Sequence, residues 1–268
     1  AVKKAGLCGR DMLAVREKVI NEIIDKEDLG APINIGIGVT FDSVIVTKIG
    51  IPNSYDVKAF GDCINVASKY SSKVTNKVKV SKKVKNLWPK SEGGTIHFYP
   101  EKISKVEIEL LSAAIDRIVM QEVLEDELLG TLPKVDELND SNKIYRGKVS
   151  VLFVDMREST KLPEKYSAEQ LVKVYRSYIR VVVQAIRYSG GVVRDFMGDG
   201  VLALFIDDTD GTSEDKAVHA ARYITTVIDK FLNPVLEQKM KHRISCGIGI
   251  HTGEISLSKV GMRGKEQN

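Results

Sequence analysis

The sequence is short of cysteine, of long apolar runs and of any excess of one charge, and each shortage excludes something. Cys8, Cys63 and Cys246 are the three cysteines of 268 residues, and they have no paired spacing. That argues against a disulfide framework and a zinc site and suits a reducing compartment. No apolar stretch approaches the roughly 20 residues of a membrane-spanning helix, and no leader peptide is legible. A cytoplasmic location without a membrane span is therefore expected. Forty basic residues face 36 acidic ones, a net charge of +4, too mild for the footprint of a nucleic-acid binder. The basic residues mix with acidic ones except between Lys69 and Lys90, where eight lysines read as a solvated face.

The composition, 43% hydrophobic and 28% charged, suffices for one or two packed domains. The internal organisation is a repeat. Ile33-Asn-Ile-Gly-Ile-Gly-Val-Thr40 recurs as Ile244-Ser-Cys-Gly-Ile-Gly-Ile-His251, so that Gly36 matches Gly247 and Gly38 matches Gly249 at an offset of 211, that is 247 minus 36. Lys48-Ile-Gly50 matches Lys259-Val-Gly261 at the same offset. An amphipathic helical pattern, Met12 to Ile24 and Ala217 to Val235, precedes each copy, which makes the repeated unit a helix followed by strands.

Between the copies, Val106 to Leu129 carries a helical apolar stripe and is expected to be a packing or dimerising helix. Gly130, Pro133 and the polar run Asp136 to Asn142 mark a linker, followed by a strand starting near Lys148. The expected segments are 1–103, a connector over 104–145, and 146–268. Ser167 to Ile186 reads as a long helix with Leu171, Val174, Tyr175, Tyr178, Ile179, Val182 and Val183 on or near one face, its tyrosines core or interface groups.

Two motifs carry chemistry. Val151-Leu-Phe-Val-Asp155 and Arg194-Asp-Phe-Met-Gly-Asp199 each end in an aspartate at the edge of a strand or turn, where two carboxylates can share a divalent ion. Hard oxygen ligands suit Mg²⁺ or Mn²⁺. The turn Met156 to Thr160 offers backbone N–H groups to phosphate. Met197-Gly-Asp-Gly200 reads as a hairpin turn in which Gly198 and Gly200 supply positive φ. Taken singly, each aspartate is equally a turn residue or a helix cap.

Taken together and in this order, the motifs resemble the metal-binding half of a class III nucleotidyl cyclase. Phe60-Gly-Asp-Cys-Ile-Asn65-Val-Ala-Ser-Lys69 resembles the Gly-Asp-x-Val-Asn-x-Ala-Ala-Arg signature of the same family. The resemblance implies an α+β fold, a ferredoxin-like βαββαβ core, here with an internal repeat. It implies that Asp155, Asp199 and the carbonyl of Met156 bind two Mg²⁺ or Mn²⁺ ions, and that the amides around Ser159 and Thr160 hold the phosphates of a nucleoside triphosphate. Asn65 would orient the ribose, although taken alone it is equally a helix N-cap. Lys69 stands where the family has an arginine that stabilises charge on the transferring phosphate, so the charge is kept and the bidentate fork lost. Lys58, on the strand that selects the purine, matches neither purine pattern and leaves the pyrimidines open. The second copy also resembles bacterial pyrimidine cyclases of anti-phage, Pycsar-type signalling.

Such sites form between two halves, so a homodimer or a pseudo-dimer of halves is expected. Residues 1–100 look like a carboxy-terminal half and 146–268 like an amino-terminal one. A conventional bacterial adenylate cyclase and a catalytically silent cyclase-like module remain alternatives. His251 fills a slot held by Thr40 in the first copy and reads as structural, while His97, His219 and His242 show no ligand spacing.

Overall fold

The computed structural model describes residues 1–51, 54–89, 105–128, 131–133 and 143–258. The chain divides into two compact units, one of 1–45 with 59–121, the other of 46–58 with 122–268.

The first unit begins with α1 (Val2–Val15), a π-helical turn at Arg16–Ile20 and α2 (Asn21–Lys26). β1 (Gly36–Val39) follows and pairs in parallel with β4 (Lys77–Val80), Gly36 opposite Lys77 and Val39 opposite Val80. Two chain segments pack against this pair. α1 approaches it through Gly9, where a Cβ would lie 3.2 Å from Ile37 and 3.3 Å from Val78. α3 (Asp62–Ser71) lies against Gly36 and Gly38, where any Cβ would collide with the carbonyls of Ser71, Val74 and Ala67. Only glycine lets the helix backbone come this close. α4 (Lys82–Asn86) and α5 (Lys105–Val119) complete the unit. β2 (Ile45–Ile51) and β3 (Ser54–Phe60) form a separate two-stranded ladder, most of which groups with the second unit.

The second unit is built round β6 (Lys143–Met156). β8 (Gly200–Phe205) pairs antiparallel along Ser150 to Val154, and β7 (Val192–Met197) pairs antiparallel with β8. β9 (Cys246–Leu257) pairs antiparallel with β6 from Tyr145 to Met156. Period-2 alternation sets the faces. Leu152, Val154 and Met156 are buried beside the apolar face of α6 (Ala168–Tyr188) and with Ala217, Ala220 and Ile224 of α7 (Ser213–Val227). Asp155 lies on the opposite, exposed face.

The expected long helix over Ser167 to Ile186 is α6, and its start has a local cause. Ser167 Oγ accepts from the Gln170 N–H, and Gln170 Oε1 accepts from the Ser167 N–H at 2.9 Å, a capping box. Tyr175 and Tyr178 are core groups, at 6% and 0% exposure.

The repeat extends further than the glycine strand. α7 breaks into a π-helical turn at Ile228–Leu232 before α8 (Asn233–Met240), as α1 breaks before α2. Asn21 Oδ1 accepts from the Ile33 N–H at 2.8 Å and its Nδ2 donates to the Ile33 carbonyl at 3.3 Å. Asn233 clamps Ile244 in the same way, at 2.8 and 3.0 Å. In each copy one asparagine ties the second helix to the first residue of the repeated strand segment.

Two sequence expectations need correction. The helix expected from Val106 to Leu129 stops at Val119, and Leu124–Glu127 is a strand, β5, that pairs in parallel with Lys143 to Arg146. Its acidic residues meet the start of β6 in two ion pairs, Lys143 with Asp126 at 2.6 Å and Arg146 with Glu125 at 2.8 Å. β6 correspondingly begins at Lys143 rather than near Lys148. Leu128 follows β5 and its N–H donates to the Arg146 carbonyl at 2.8 Å, so the end of the expected helical stripe runs along β6.

Candidate active site

Asp155 is the penultimate residue of β6, and Asp199 sits in the two-residue turn that joins β7 to β8. Val154 pairs with Val201, so the antiparallel β6–β8 ladder brings the β7–β8 turn beside the end of β6. Gly198 carries the positive φ, +66°, that this turn needs. Gly200 does not have a positive φ, contrary to expectation. Its role is space: a Cβ there would lie 2.9 Å from the Phe153 ring and 3.3 Å from Asp155 Oδ1.

Asp199 is fixed at both oxygens. Oδ2 accepts the Met156 N–H at 3.2 Å, and Oδ1 accepts the Ser159 hydroxyl at 3.1 Å. Burial first, then the charge of neighbouring Asp155, push its carboxyl up to about 6, and the Ser159 hydrogen bond pulls the other way. Behind it the Tyr175 hydroxyl donates to the Ser159 carbonyl at 3.3 Å, and burial raises the Tyr175 phenol well above its ordinary value. Tyr175 is thus a prop for the loop. The sequence shows it only as one aromatic of an apolar helical face, and nothing in that pattern marks its hydroxyl.

The turn after β6 opens with Glu158 in the left-handed region, φ +56°, and continues as a 3₁₀ turn over Ser159–Glu164. Ser159 is half-buried against Asp199 and Thr160 is exposed at the start of that turn. The structure therefore gathers Asp155, Met156, Ser159, Thr160 and Asp199 at one end of the β6–β8 pair. No third histidine, cysteine or acidic side chain joins them to make a metal-binding group among the described residues.

A divalent cation fits what is there. Two carboxylates face each other without a compensating cation among the groups that perturb Asp199, and burial and the second charge both disfavour its ionised form, a cost that a bound cation would relieve. Hard oxygen donors of this kind suit Mg²⁺ or Mn²⁺.

In the first unit, Asn65 and Lys69 are one turn apart on α3. Asn65 is not an N-cap, since Gly61 holds that position. Neither side chain makes a hydrogen bond or ion pair among the described residues, and Lys69 is exposed. Lys58 lies on β3, and its side chain falls outside the described ones. His251 is exposed on β9 opposite Val151, His219 bonds to the Ser189 hydroxyl at 2.8 Å, and His97 lies outside the described residues.

No family model matches the chain. It is 32% identical over 117 residues to the adenylate cyclase of Anabaena cylindrica. It is 30% identical over 132 residues to the cytidylate cyclase of Escherichia coli and 30% identical over 118 residues to the uridylate cyclase of Xanthomonas perforans. These stretches are 42%, 47% and 43% of this chain but 22%, 28% and 50% of those proteins, so the chain spans half or less of the length of the relatives it matches. A solved structure described as a class III adenylyl cyclase-like ATP-binding protein from Pseudomonas aeruginosa matches 97% of this chain and 61% of its own, with a TM-score of 0.62 at 17% identity, a likeness of fold. No helix among the described residues is long and apolar enough to cross a membrane. The chain is similar over less than half of its length to adenylate, cytidylate and uridylate cyclases, and it shares the fold of a class III adenylyl cyclase-like protein.

Proposed function

We propose that the chain belongs to a nucleotidyl cyclase that converts a nucleoside triphosphate into a 3′,5′-cyclic nucleotide and pyrophosphate. The ribose 3′-oxygen forms a bond to the α-phosphorus as the bond from that phosphorus to the bridging oxygen of the β-phosphate breaks. Pyrophosphate leaves, and the hydroxyl proton goes to solvent. The observation that carries this reading is the Asp155–Asp199 pair, with Asp199 oriented by the Met156 N–H and the Ser159 hydroxyl.

Asp155, Asp199 and the Met156 carbonyl would hold the divalent ions. Mg²⁺ or Mn²⁺ bound there supplies positive charge that makes the 3′-hydroxyl more acidic and balances charge on the transferring phosphoryl group. The loop amides at Ser159 and Thr160 position the phosphates. Asn65 orients the ribose, and Lys69 supplies charge to the phosphoryl oxygens.

The proposed substrate is a pyrimidine triphosphate, giving cyclic UMP or cyclic CMP. Its support is the similarity to cytidylate and uridylate cyclases and the lysine at position 58. A role in bacterial antiviral signalling rests on the same likeness. The similarity to an adenylate cyclase supports cyclic AMP as the second reading. The lysine in place of arginine at position 69 supports a third, a silent nucleotide-binding module. Pyrophosphate release from ATP, GTP, CTP and UTP with Mn²⁺, compared with Asp155→Ala, tests the proposal. Release from a pyrimidine triphosphate that the variant lacks supports it, and equal release by both proteins sinks it.

A further inference from the structure

The loop after β6 has two sides. β8 and β9 pair with opposite edges of β6, so the loop from Arg157 to Lys165 is flanked by the β7–β8 turn on one side and by the link from α8 to β9 on the other. On the first side the Ser159 hydroxyl donates to Asp199. On the second, the Arg157 N–H donates to the Ser245 carbonyl at 2.9 Å, and a cleft of about 270 Å³ opens between the loop and residues 242–245. Both walls are fixed by bonds within the second unit. The Leu162 carbonyl accepts the N–H groups of Lys165 and Tyr166 at 3.0 Å, and Asn233 clamps Ile244 at 2.8 and 3.0 Å.

The cleft combines buried apolar groups with a surplus of positive charge. Leu162 and Ile244 are its buried lining, 4% and 6% exposed, whereas Arg157, Lys161, Lys165 and Arg243 line it as exposed residues. Against these four cations the lining holds one carboxylate, Glu158, among the described residues, a formal charge of +3. Glu158 bonds to Lys161 at 2.6 Å, and Glu237, outside the lining, bonds to Arg243 at 3.0 Å. The Lys165 side chain makes no hydrogen bond or ion pair among the described residues. His242 senses the same surplus: burial first, then the charge of Lys165, hold its imidazole below its ordinary range. Its ring packs against Tyr166 with centroids 5.0 Å apart, so it serves the cleft as an uncharged wall at neutral pH.

We propose that this cleft is a binding site for a small phosphate-class anion, separate from the Asp155–Asp199 pair on the other side of the loop. The guanidinium of Arg243 takes two phosphate oxygens at once, and the ammonium groups of Lys161 and Lys165 add point charges from the facing wall. The buried Leu162 and Ile244 lower the local dielectric and strengthen these contacts. The volume lies just below the roughly 300–1,000 Å³ of sites for drug-sized ligands. The cleft therefore takes a free inorganic anion or the phosphate end of a nucleotide, and not a whole nucleotide. The proposal is independent of whether Asp155 and Asp199 catalyse anything.

The test is isothermal titration calorimetry of the full chain with inorganic phosphate, pyrophosphate and CTP, each without divalent metal and at low ionic strength. Saturable binding of pyrophosphate is expected. Lys165→Gln and Arg243→Gln should each weaken it by about tenfold, equivalent to roughly 1.4 kcal/mol, and the double variant should abolish it. Both residues are exposed, so the melting temperature should not move, and Lys165→Arg should keep the binding. Lys173→Gln, which removes the same charge from α6 outside the cleft, should leave it unchanged. Pyrophosphate binding at least as tightly as CTP marks a free anion as the ligand. Tighter binding of CTP, still lost in the double variant, marks the phosphate end of a nucleotide. Absence of saturable binding, binding that survives in the double variant, or an equal loss in Lys173→Gln overturns the proposal.

Discussion

The Met156 N–H donates to Asp199 Oδ2 at 3.2 Å, so the backbone at the end of β6 positions a carboxylate carried by the β7–β8 turn. The hydrogen bond links two sequence motifs more than forty residues apart. It also means that the position of Asp199 depends on the register of β6 against β8 and not on the turn alone.

The electrostatic cost of that placement is measurable. The Asp199 carboxyl titrates at about 6 in the folded chain against about 3.9 when unfolded. The native state therefore takes up a proton between pH 6 and pH 4 that the unfolded chain does not. Stability falls as pH rises through that window, and the penalty is complete above about pH 6. Asp199→Asn should raise the metal-free unfolding free energy at pH 8 by about 1–2 kcal/mol, after allowing for solvent screening of a partly exposed group. The gain should shrink to nothing near pH 4. Urea melts at the two pH values check this.

Ser159→Ala removes the hydroxyl that holds Asp199 Oδ1. Loss of an outer-shell hydrogen bond typically costs about 10- to 100-fold in metal affinity, so the Mn²⁺ concentration for half-maximal activity should rise by at least about tenfold. Tyr175→Phe acts one layer further out, through the Ser159 carbonyl, and should cost about 0.5–1.5 kcal/mol of stability. A metal titration and a denaturant melt separate the two effects.

The paired asparagine clamps make an asymmetric prediction. Asn233 is 1% exposed, so Asn233→Ala strands the Ile244 N–H and carbonyl in a buried setting and should cost about 2–3 kcal/mol. Asn21 makes the same two bonds in an exposed setting, where water replaces them, and Asn21→Ala should cost at most about 1 kcal/mol. Equal losses in paired melts would contradict the account.

Lys69→Arg restores the planar fork at the position from which transition-state charge is proposed to be balanced. If Lys69 serves that role, kcat should rise by about three- to tenfold with little change in KM. Steady-state kinetics on the preferred triphosphate measure both.

Much of this was legible in the sequence, for identifiable reasons. Val151 to Asp155 is an apolar run that ends in an aspartate and Met197 to Gly200 is a glycine-flanked turn, and the two patterns place both carboxylates at strand ends. The Gly-x-Gly repeat exposed a duplicated unit, and the apolar face from Leu171 to Val183 showed α6. The strand at Leu124–Glu127 was not legible, because its partner is the start of β6 and its ion pairs join residues about twenty positions apart. Gly200 was misread because the same residue serves turn curvature and steric clearance, and only the position of the Phe153 ring distinguishes them. The Tyr175 prop and the asparagine clamps escaped because each depends on a hydroxyl or amide meeting a backbone group from elsewhere in the chain.

The central claim is that Asp155 and Asp199 support cyclisation of a nucleoside triphosphate. It is tested most directly by mass spectrometry of the products after the chain is incubated separately with ATP, GTP, CTP and UTP plus Mn²⁺, alongside Asp155→Ala and Asp199→Ala. The account predicts a 3′,5′-cyclic pyrimidine nucleotide from the unaltered protein and none from either variant. The absence of a cyclic product from all four triphosphates, or a cyclic product that persists in both variants, would contradict it.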